Sequence, residues 1–456
     1  MLFSLKLYKM AIADNKGVEG ATAVKPPRPY GLSLRSNFSW NLVGNVVYAG
    51  CQWGILVILA KLTTPEMVGR FALGLAITAP IIMLSQLQLR GVQATDVRDE
   101  YSFGHYLGLR LVTTLMALFV IGGVVWAGKY NLQTALVILA VGLSKAFESI
   151  SDVYYGLMQR HERMDRIAKA MMIKGPLSLA ALGLLVYITN DVLWGVIGLA
   201  VTWFLILMFY DLRNAAITLR ESRSIKGMAF MSDEVMHPDF EPRRLANLAW
   251  LAFPLGLVMA LISFNTNIPR YFIEHEIGIS DLGIFAALAY LVFAGNTIIS
   301  AVGQSVVPRL AKYYAVDDII QYKRLLGRIM GIGLLLGGIG VLMALIAGRQ
   351  LLTFLYRPEY ADHVTAFVWL MIMAGVSYLA SFLGYGMTAA RYFKVQLPIF
   401  MIVTASTFGA SMWLIPHFAL TGAALSLTVG SLVQLIGSGF VFVHLLQKKN
   451  VKGVSL

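Results

Sequence analysis

The sequence predicts an all-α polytopic membrane protein, and three observations carry the prediction: the apolar fraction, the spacing of apolar runs, and the partition of Lys and Arg between loops. Hydrophobic residues make up 58% of the 456 residues and charged residues 13%, and the mean hydropathy is +0.70. That balance does not suit a soluble domain. A bilayer crossing takes about 20 apolar residues. The chain holds twelve such runs, at roughly 40–60, 71–93, 107–128, 131–158, 171–189, 192–212, 245–267, 280–306, 326–347, 364–386, 394–416 and 419–446. With both termini taken as cytoplasmic, the loops and tails on that side collect 30 Lys and Arg and the opposite loops 6, while Lys145 lies inside the fourth run. Basic residues concentrate on the cytoplasmic side of membrane proteins, so the partition supports twelve transmembrane helices with both ends inside.

The segments follow in order. Residues 1–39 carry six Lys and Arg and a Pro-containing stretch, with no apolar stretch leading to a small-residue cleavage site, and are expected to form a disordered basic cytoplasmic tail. Residues 40–212 should form an N-terminal six-helix lobe, 213–244 a cytoplasmic interlobe linker with Pro238 and Pro242, 245–446 a C-terminal six-helix lobe, and 447–456 a cytoplasmic tail. Trp40, Tyr130, Tyr187, Tyr210, Tyr271 and Tyr356, near run ends, suit interfacial anchoring. Cys51, the single cysteine, excludes intrachain disulfides and Cys-based metal cages.

An internal repeat relates the halves. Gly69-Arg70-Phe71-Ala72 before the second run is echoed by Gly283-Ile284-Phe285-Ala286 before the eighth, and Tyr155-Gly156 at the end of the fourth by Tyr385-Gly386 at the end of the tenth. Both displacements equal six runs. An even number keeps the orientation, so the repeat is parallel, about an axis along the membrane normal.

Polar residues inside the runs are the candidates for function, because an unsatisfied polar group in hydrocarbon costs several kcal/mol. Asn41, Asn45, Tyr48 and Gln52 share a helical face in the first run; Gln86, Arg90 and Gln93 do so at the end of the second. Ser263, Asn267 and Arg270 in the seventh, with Asn296, Ser300 and Gln304 in the eighth, repeat the pattern. These four stripes are expected to line one cleft between the lobes. Lys145, Glu148, Asp152, Tyr155 and Gln159 share a face of the fourth run. Lys145 and Glu148 suit an ion pair, and with Asp152 they are candidates for ion coupling or head-group contact.

Other classes are disfavoured. The net charge of +13 is distributed between apolar runs and accompanies no soluble nucleic-acid module. No phosphate loop, His-Glu-x-x-His or Gly-x-Ser-x-Gly is present. The histidines are scattered, with His105, His161 and His237 expected in cytoplasmic loops. The longest outer loops, about 15 residues, leave no room for the extramembrane site of a polymerase or ligase.

Four stretches carry a family resemblance: Leu62-Thr63-Thr64-Pro65-Glu66-Met67-Val68-Gly69-Arg70-Phe71; Leu87-Gln88-Leu89-Arg90-Gly91-Val92-Gln93-Ala94-Thr95-Asp96; Leu355-Tyr356-Arg357-Pro358-Glu359-Tyr360; and Leu414-Ile415-Pro416 followed by Thr421-Gly422-Ala423-Ala424. Over about residues 35–446 the chain resembles the polysaccharide-transporter branch of the multidrug/oligosaccharidyl-lipid/polysaccharide exporter superfamily, whose O-antigen flippases are Wzx-like. Members usually have Gly where this chain has Ala419, and often Gly at Thr64. The resemblance implies a plasma (inner) membrane flippase moving a lipid-linked oligosaccharide, usually on undecaprenyl pyrophosphate, to the outer leaflet by alternating access in cell-surface polysaccharide or lipopolysaccharide biosynthesis. Membrane lipids and polysaccharide assembly machinery are the implied partners. No cofactor is expected, and a proton or sodium gradient is the candidate energy source. A cation-coupled multidrug antiporter of the same superfamily is the alternative.

Reporters fused after Ala127, Thr189 or His417 should report the outer side, and those after Arg160, Ser224 or Lys448 the cytoplasm. One reporter reproducibly on the wrong side means that a crossing has been miscounted.

Overall fold

Hydrocarbon offers the backbone no hydrogen-bond partner, so each crossing must satisfy its own amides and carbonyls as a helix. The structure, a computed structural model, describes residues 32, 34–96, 100–225, 237–390, 392 and 395–453. Its helices are α1 (Leu34–Leu62), α2 (Pro65–Gln86), the short α3 (Leu89–Thr95), α4 (Phe103–Ala127), α5 (Leu132–Arg160), α6 (Met164–Thr189) and α7 (Val192–Ile206). A π-helical turn, Leu207–Asp211, leads into α8 (Leu212–Ile225). After the linker come α9 (Pro242–Glu276), α10 (Ile279–Ala315), α11 (Ile319–Leu355), a 3-10 turn at Pro358–His363, α12 (Val364–Ala389) and α13 (Gln396–Gly453). Eleven helices among the described residues are long and apolar enough to cross a membrane. Apolar side chains such as Trp126, Trp250 and Ile346 stand exposed on the outside of the bundle, as a lipid-facing surface requires.

Helix starts follow local chemistry. Asn131 Oδ1 accepts from the Thr134 amide at 2.8 Å and Asp191 Oδ1 from Leu193 at 2.9 Å, satisfying donors left open in a first turn. Pro65 and Pro242 open α2 and α9, where a missing N–H costs nothing. The last apolar helical stretch, Gln396–His444, has 49 residues. At 1.5 Å per residue it runs to about 74 Å, more than twice the hydrocarbon thickness. It breaks at Ala419, whose backbone is non-helical at φ 48° and ψ −130°, and the two pieces coincide with the last two apolar runs. Ala419 holds the position where the family usually has glycine.

Helices α1 to α7 pack chiefly among themselves, as do α9 to α13, and the two groups meet mainly where α2 lies against α9 and α10. The repeated glycines form the tightest point of that junction. A Cβ on Gly69 would stand 1.8 Å from the Ile279 carbonyl oxygen, and one on Gly283 would stand 2.0 Å from that of Pro65. Pro65 and Ile279 are themselves equivalent in the repeat, 214 residues apart, so the contact is reciprocal in the manner of a two-fold interface. Arg357 Nη2 donates to the Lys61 carbonyl at 2.8 Å and the Tyr271 hydroxyl to that of Ala76, closing the same end.

Several expectations need correction. The segment 1–39 overlaps α1, which begins at Leu34; residues 1–31 lie outside the described residues, as do 226–236 and 454–456. The linker 213–244 is helical as far as Ile225, and its end docks on α4: the Asp239 amide donates to the Gly104 carbonyl, and Asp239 Oδ2 lies 3.1 Å from His105 Nε2. His105 accordingly sits buried in the first turn of α4 rather than in a loop. Tyr356 is buried, with its hydroxyl donating to the Ala287 carbonyl on α10, so it ties helices together instead of anchoring an interface.

Relief of the Ala419 backbone should stabilise the protein. Strain of this kind costs of order 1–3 kcal/mol, and glycine's extra unfolded-state freedom about 0.5–1 kcal/mol. Ala419→Gly should therefore stabilise the protein by a net of about 1 kcal/mol, read as a higher melting temperature of the purified protein in detergent. An unchanged or lower melting temperature would show that the break is unstrained.

Candidate substrate cavity and the charged cluster behind it

Away from the Gly69–Gly283 crossing the two helix groups diverge around a cavity of about 650 Å³. From the first lobe come Asn41 and Asn45 of α1, Arg90 of α3 and Gln159 of α5; α10 of the second supplies Asn296, Thr297, Ser300, Gln304 and Ser305. Met164, Met171 and Phe38 add apolar surface, and the described lining contains no carboxylate. Arginine with hydroxyls and amides makes a surface for an anionic group bearing polar, neutral appendages.

Six of the thirteen stripe residues reach this cavity, and the others have specific reasons not to. The α2 stripe assumed one continuous helix from Gln86 to Gln93. Leu87 and Gln88, both left-handed at φ 50° and 51°, break the helix there, so Arg90 alone meets the cavity while Gln93 is buried against Gly156. Tyr48 turns into the first lobe and donates to Glu148 Oε1 at 2.8 Å; Gln52, one turn on, has its buried Nε2 without a partner. On α9 the stripe bonds largely within itself, although the buried Arg270 Nε has no partner among the described residues. Asn267 Nδ2 donates to the Ser263 carbonyl at 2.8 Å, and Arg270 Nη1 donates to Asn267 Oδ1 at 3.2 Å. Ser263, Asn267 and Arg270 therefore do not line the cavity.

The face of α5 assembles as its spacing implies. Lys145 Nζ donates to Glu148 Oε2 at 2.8 Å. Asp152 is shared by Arg90 and Arg110, each at 3.4 Å, and Gln159 Oε1 accepts from Arg90 Nε at 2.9 Å. Arg90 is thus fixed from α5 while facing the cavity.

Sequence reasoning missed three members of this cluster. Arg110 on α4 is fully buried and donates to Ser149 at 3.2 Å. Lys174 on α6 is 2% exposed and Asp211, in the π-helical turn, 0%. Lys145 and Lys174 stand 4.9 and 5.0 Å from the Trp203 ring, close enough for cation–π attraction. The strongest electrostatic attractions on Lys174 come from Asp211 and Glu148. The cluster has four cations, Arg90, Arg110, Lys145 and Lys174, against three anions, Glu148, Asp152 and Asp211, a formal excess of one positive charge beside the cavity. Lys174 and Asp211 fell at what look like run ends, where a charge reads as interfacial; only the π-helical turn turns Asp211 inward.

A family model described as polysaccharide biosynthesis protein matches residues 34–314. The capsular polysaccharide biosynthesis protein CapF of Staphylococcus aureus is 30% identical over 406 residues, covering 88% of this chain and 97% of CapF. Among solved structures, the lipid II flippase MurJ in an inward closed conformation aligns with a TM-score of 0.70 at 11% identity, covering 89% of this chain and 87% of MurJ. An inward-facing multidrug resistance MATE family transporter of the MOP superfamily aligns with a TM-score of 0.58 at 13% identity, covering 92% and 96%. At such identities the structural likenesses establish the fold.

Removing one member of a buried ion cluster strands its partners, at a cost of about 3–5 kcal/mol, whereas replacing both with apolar groups is often neutral. Lys174→Met should sharply lower the melting temperature in detergent, and adding Asp211→Leu should restore most of it. Additive losses in the double variant would show that the two charges do not compensate each other.

Proposed function

We propose that this chain, which belongs to the polysaccharide biosynthesis protein family and is a multi-pass inner membrane transporter, moves a lipid-linked oligosaccharide from the cytoplasmic to the outer leaflet. The observation that carries the reading is the lining of the central cavity: one arginine, amides and hydroxyls, and no carboxylate among the described residues. A planar guanidinium takes two phosphate oxygens at once, which suits a polyprenyl pyrophosphate, and amides suit sugar hydroxyls. A cation-exporting antiporter needs acid in its cavity, and the acids here lie behind Arg90, paired with cations.

The charge partition of the loops gives the direction. It assigns the sealed Pro65–Ile279 end to the outside and the Arg90 end to the cytoplasm, so this conformation receives substrate from the inner leaflet. Opening the glycine crossing while the Arg90 end closes completes an alternating-access cycle. The energy source we assign is a proton or sodium gradient acting through Glu148 and Asp152, which connect Tyr48, Lys145 and both arginines. The polysaccharide assembly machinery is the partner that delivers and takes the lipid-linked chain.

Arg90 separates pyrophosphate binding from simple anchoring. At matched membrane abundance, Arg90→Lys should retain only part of glycan export and Arg90→Ala should lose it, because an ammonium offers a point charge where the guanidinium offers a fork. Full export with Arg90→Lys would remove Arg90 from the site. For coupling, Glu148→Gln should lower export more than it lowers protein abundance, and normal export across a range of pH and sodium concentrations would end the coupling role.

A further inference from the structure

A second cavity, about 250 Å³, lies inside the C-terminal lobe between α9, α12 and α13. Its polar lining is entirely neutral: Ser381, Tyr385 and Thr388 from α12, and Gln396, Gln434 and Ser438 from α13. Gln396 Nε2 donates to Thr388 Oγ1 at 3.1 Å. Ser381, Tyr385, Gln434 and Ser438 make no side-chain hydrogen bond among the described residues, although Ser438 is only 2% exposed. None of these polar atoms is among the buried ones that lack a partner, so all four are open to the cavity and available to a polar molecule that enters it. The volume equals roughly eight water molecules at ~30 Å³ each, the scale of one sugar ring.

The internal repeat sharpens the point. Ser381 and Tyr385 lie 230 residues after Ser151 and Tyr155, so the two lobes place the same pair on equivalent helices. In the first lobe that pair neighbours the Asp211 carboxylate, with Ser151 Oγ, the Tyr155 hydroxyl and both Asp211 oxygens buried without a hydrogen-bond partner among the described residues. In the second it faces the amide of Gln434 and open volume. The cavity also adjoins the central one. The Tyr385 ring packs on Gly303, where a Cβ would stand 2.1 Å from it, and Gly303 sits on α10 between Ser300 and Gln304, which line the central cavity.

We propose that this second cavity is a subsite for a neutral sugar residue, a hexose or N-acetylhexosamine, of the glycan whose anionic end meets Arg90. The proposal rests on the flippase reading for the identity of the glycan. Gln434 supplies both a donor and an acceptor to vicinal hydroxyls, Ser381 and Ser438 accept from or donate to further hydroxyls, and the faces of Tyr385 and Phe400 offer apolar surface to sugar C–H groups. With no charged side chain in its described lining, the cavity discriminates against uronic acids, whose carboxylate would be buried without a counter-ion.

The test uses saturation-transfer NMR on the full-length protein in detergent, with methyl glycosides of a neutral hexose, of an N-acetylhexosamine and of a uronic acid as probes. Transfer to the neutral glycosides and not to the uronate is expected. Gln434→Leu should weaken it about three- to tenfold, the effect of one or two lost hydrogen bonds. Ser438→Ala, which removes a single oxygen, should weaken it about threefold and keeps the test open if Gln434→Leu does not fold. No transfer to any glycoside, equal transfer to the uronate, or full transfer in both folded variants would overturn the subsite. Binding of sugar-free undecaprenyl pyrophosphate, measured in parallel, should fall with Arg90→Ala and not with Gln434→Leu. Indifference to Arg90→Ala would sink the flippase reading and leave the sugar result standing.

Discussion

The approach of two backbones at Gly69 and Gly283 is the constraint around which the rest is arranged. Each glycine leaves room for a carbonyl of the facing helix, and the repeat makes the contact mutual. Within hydrocarbon there is no hydrophobic force between helices, so close packing of small residues, with a few hydrogen bonds, has to hold the lobes together. Fastened at that end, the lobes diverge toward the other, and the polar stripes of α1 and α10 find themselves facing across a cavity instead of each other.

The interior of the first lobe solves a different problem. Seven ionisable groups on α3, α4, α5, α6 and the π-helical turn are placed where water is scarce, and they are arranged so that cation alternates with anion. Asp152 divides its oxygens between two arginines, Glu148 lies between a lysine and a tyrosine hydroxyl, and Trp203 presents its ring to two ammonium groups. The network reaches the cavity at Arg90, whose guanidinium is held by Gln159 and Asp152 while it lines the space where substrate would sit. The second lobe keeps the architecture without a comparable ion cluster among the described residues; Arg270 is bonded there to a neutral amide.

Much of this was legible in the sequence. Hydropathy and periodicity marked the eleven long apolar helices of the described residues, because hydrocarbon leaves the backbone no alternative, and the three-four spacing of Lys145 to Gln159 placed five side chains on one face because α5 is unbroken. The same spacing argument failed on α2 for a local reason: two residues entered the left-handed region at Leu87 and Gln88, and nothing in their side chains announces that. On α9 the stripe lies outside the lining of this cavity, since periodicity cannot tell a residue that meets a cavity from one that bonds to its neighbour a turn away, as Asn267 does with Ser263. Lys174 and Asp211 escaped notice because distance along a run measures depth in the membrane only when the helix is regular. The departure at Ala419 was visible in the sequence, but not that the backbone there takes the positive φ that favours glycine.

The pairing of charges across α4, α5, α6 and the π-helical turn also has a consequence for how the chain is made. A charge within a lone helix costs up to about 2.5–3.5 kcal/mol on insertion; Lys145 brings its partner Glu148 on the same helix, but α4 carries Arg110 before Asp152 has emerged and α6 carries Lys174 before Asp211 has. Helices handed to the lipid one at a time would each bear that cost alone. Biogenesis therefore favours keeping α4 to α6 near the insertion machinery until the segment containing Asp211 arrives, so that the first lobe enters the bilayer as an assembled group of helices.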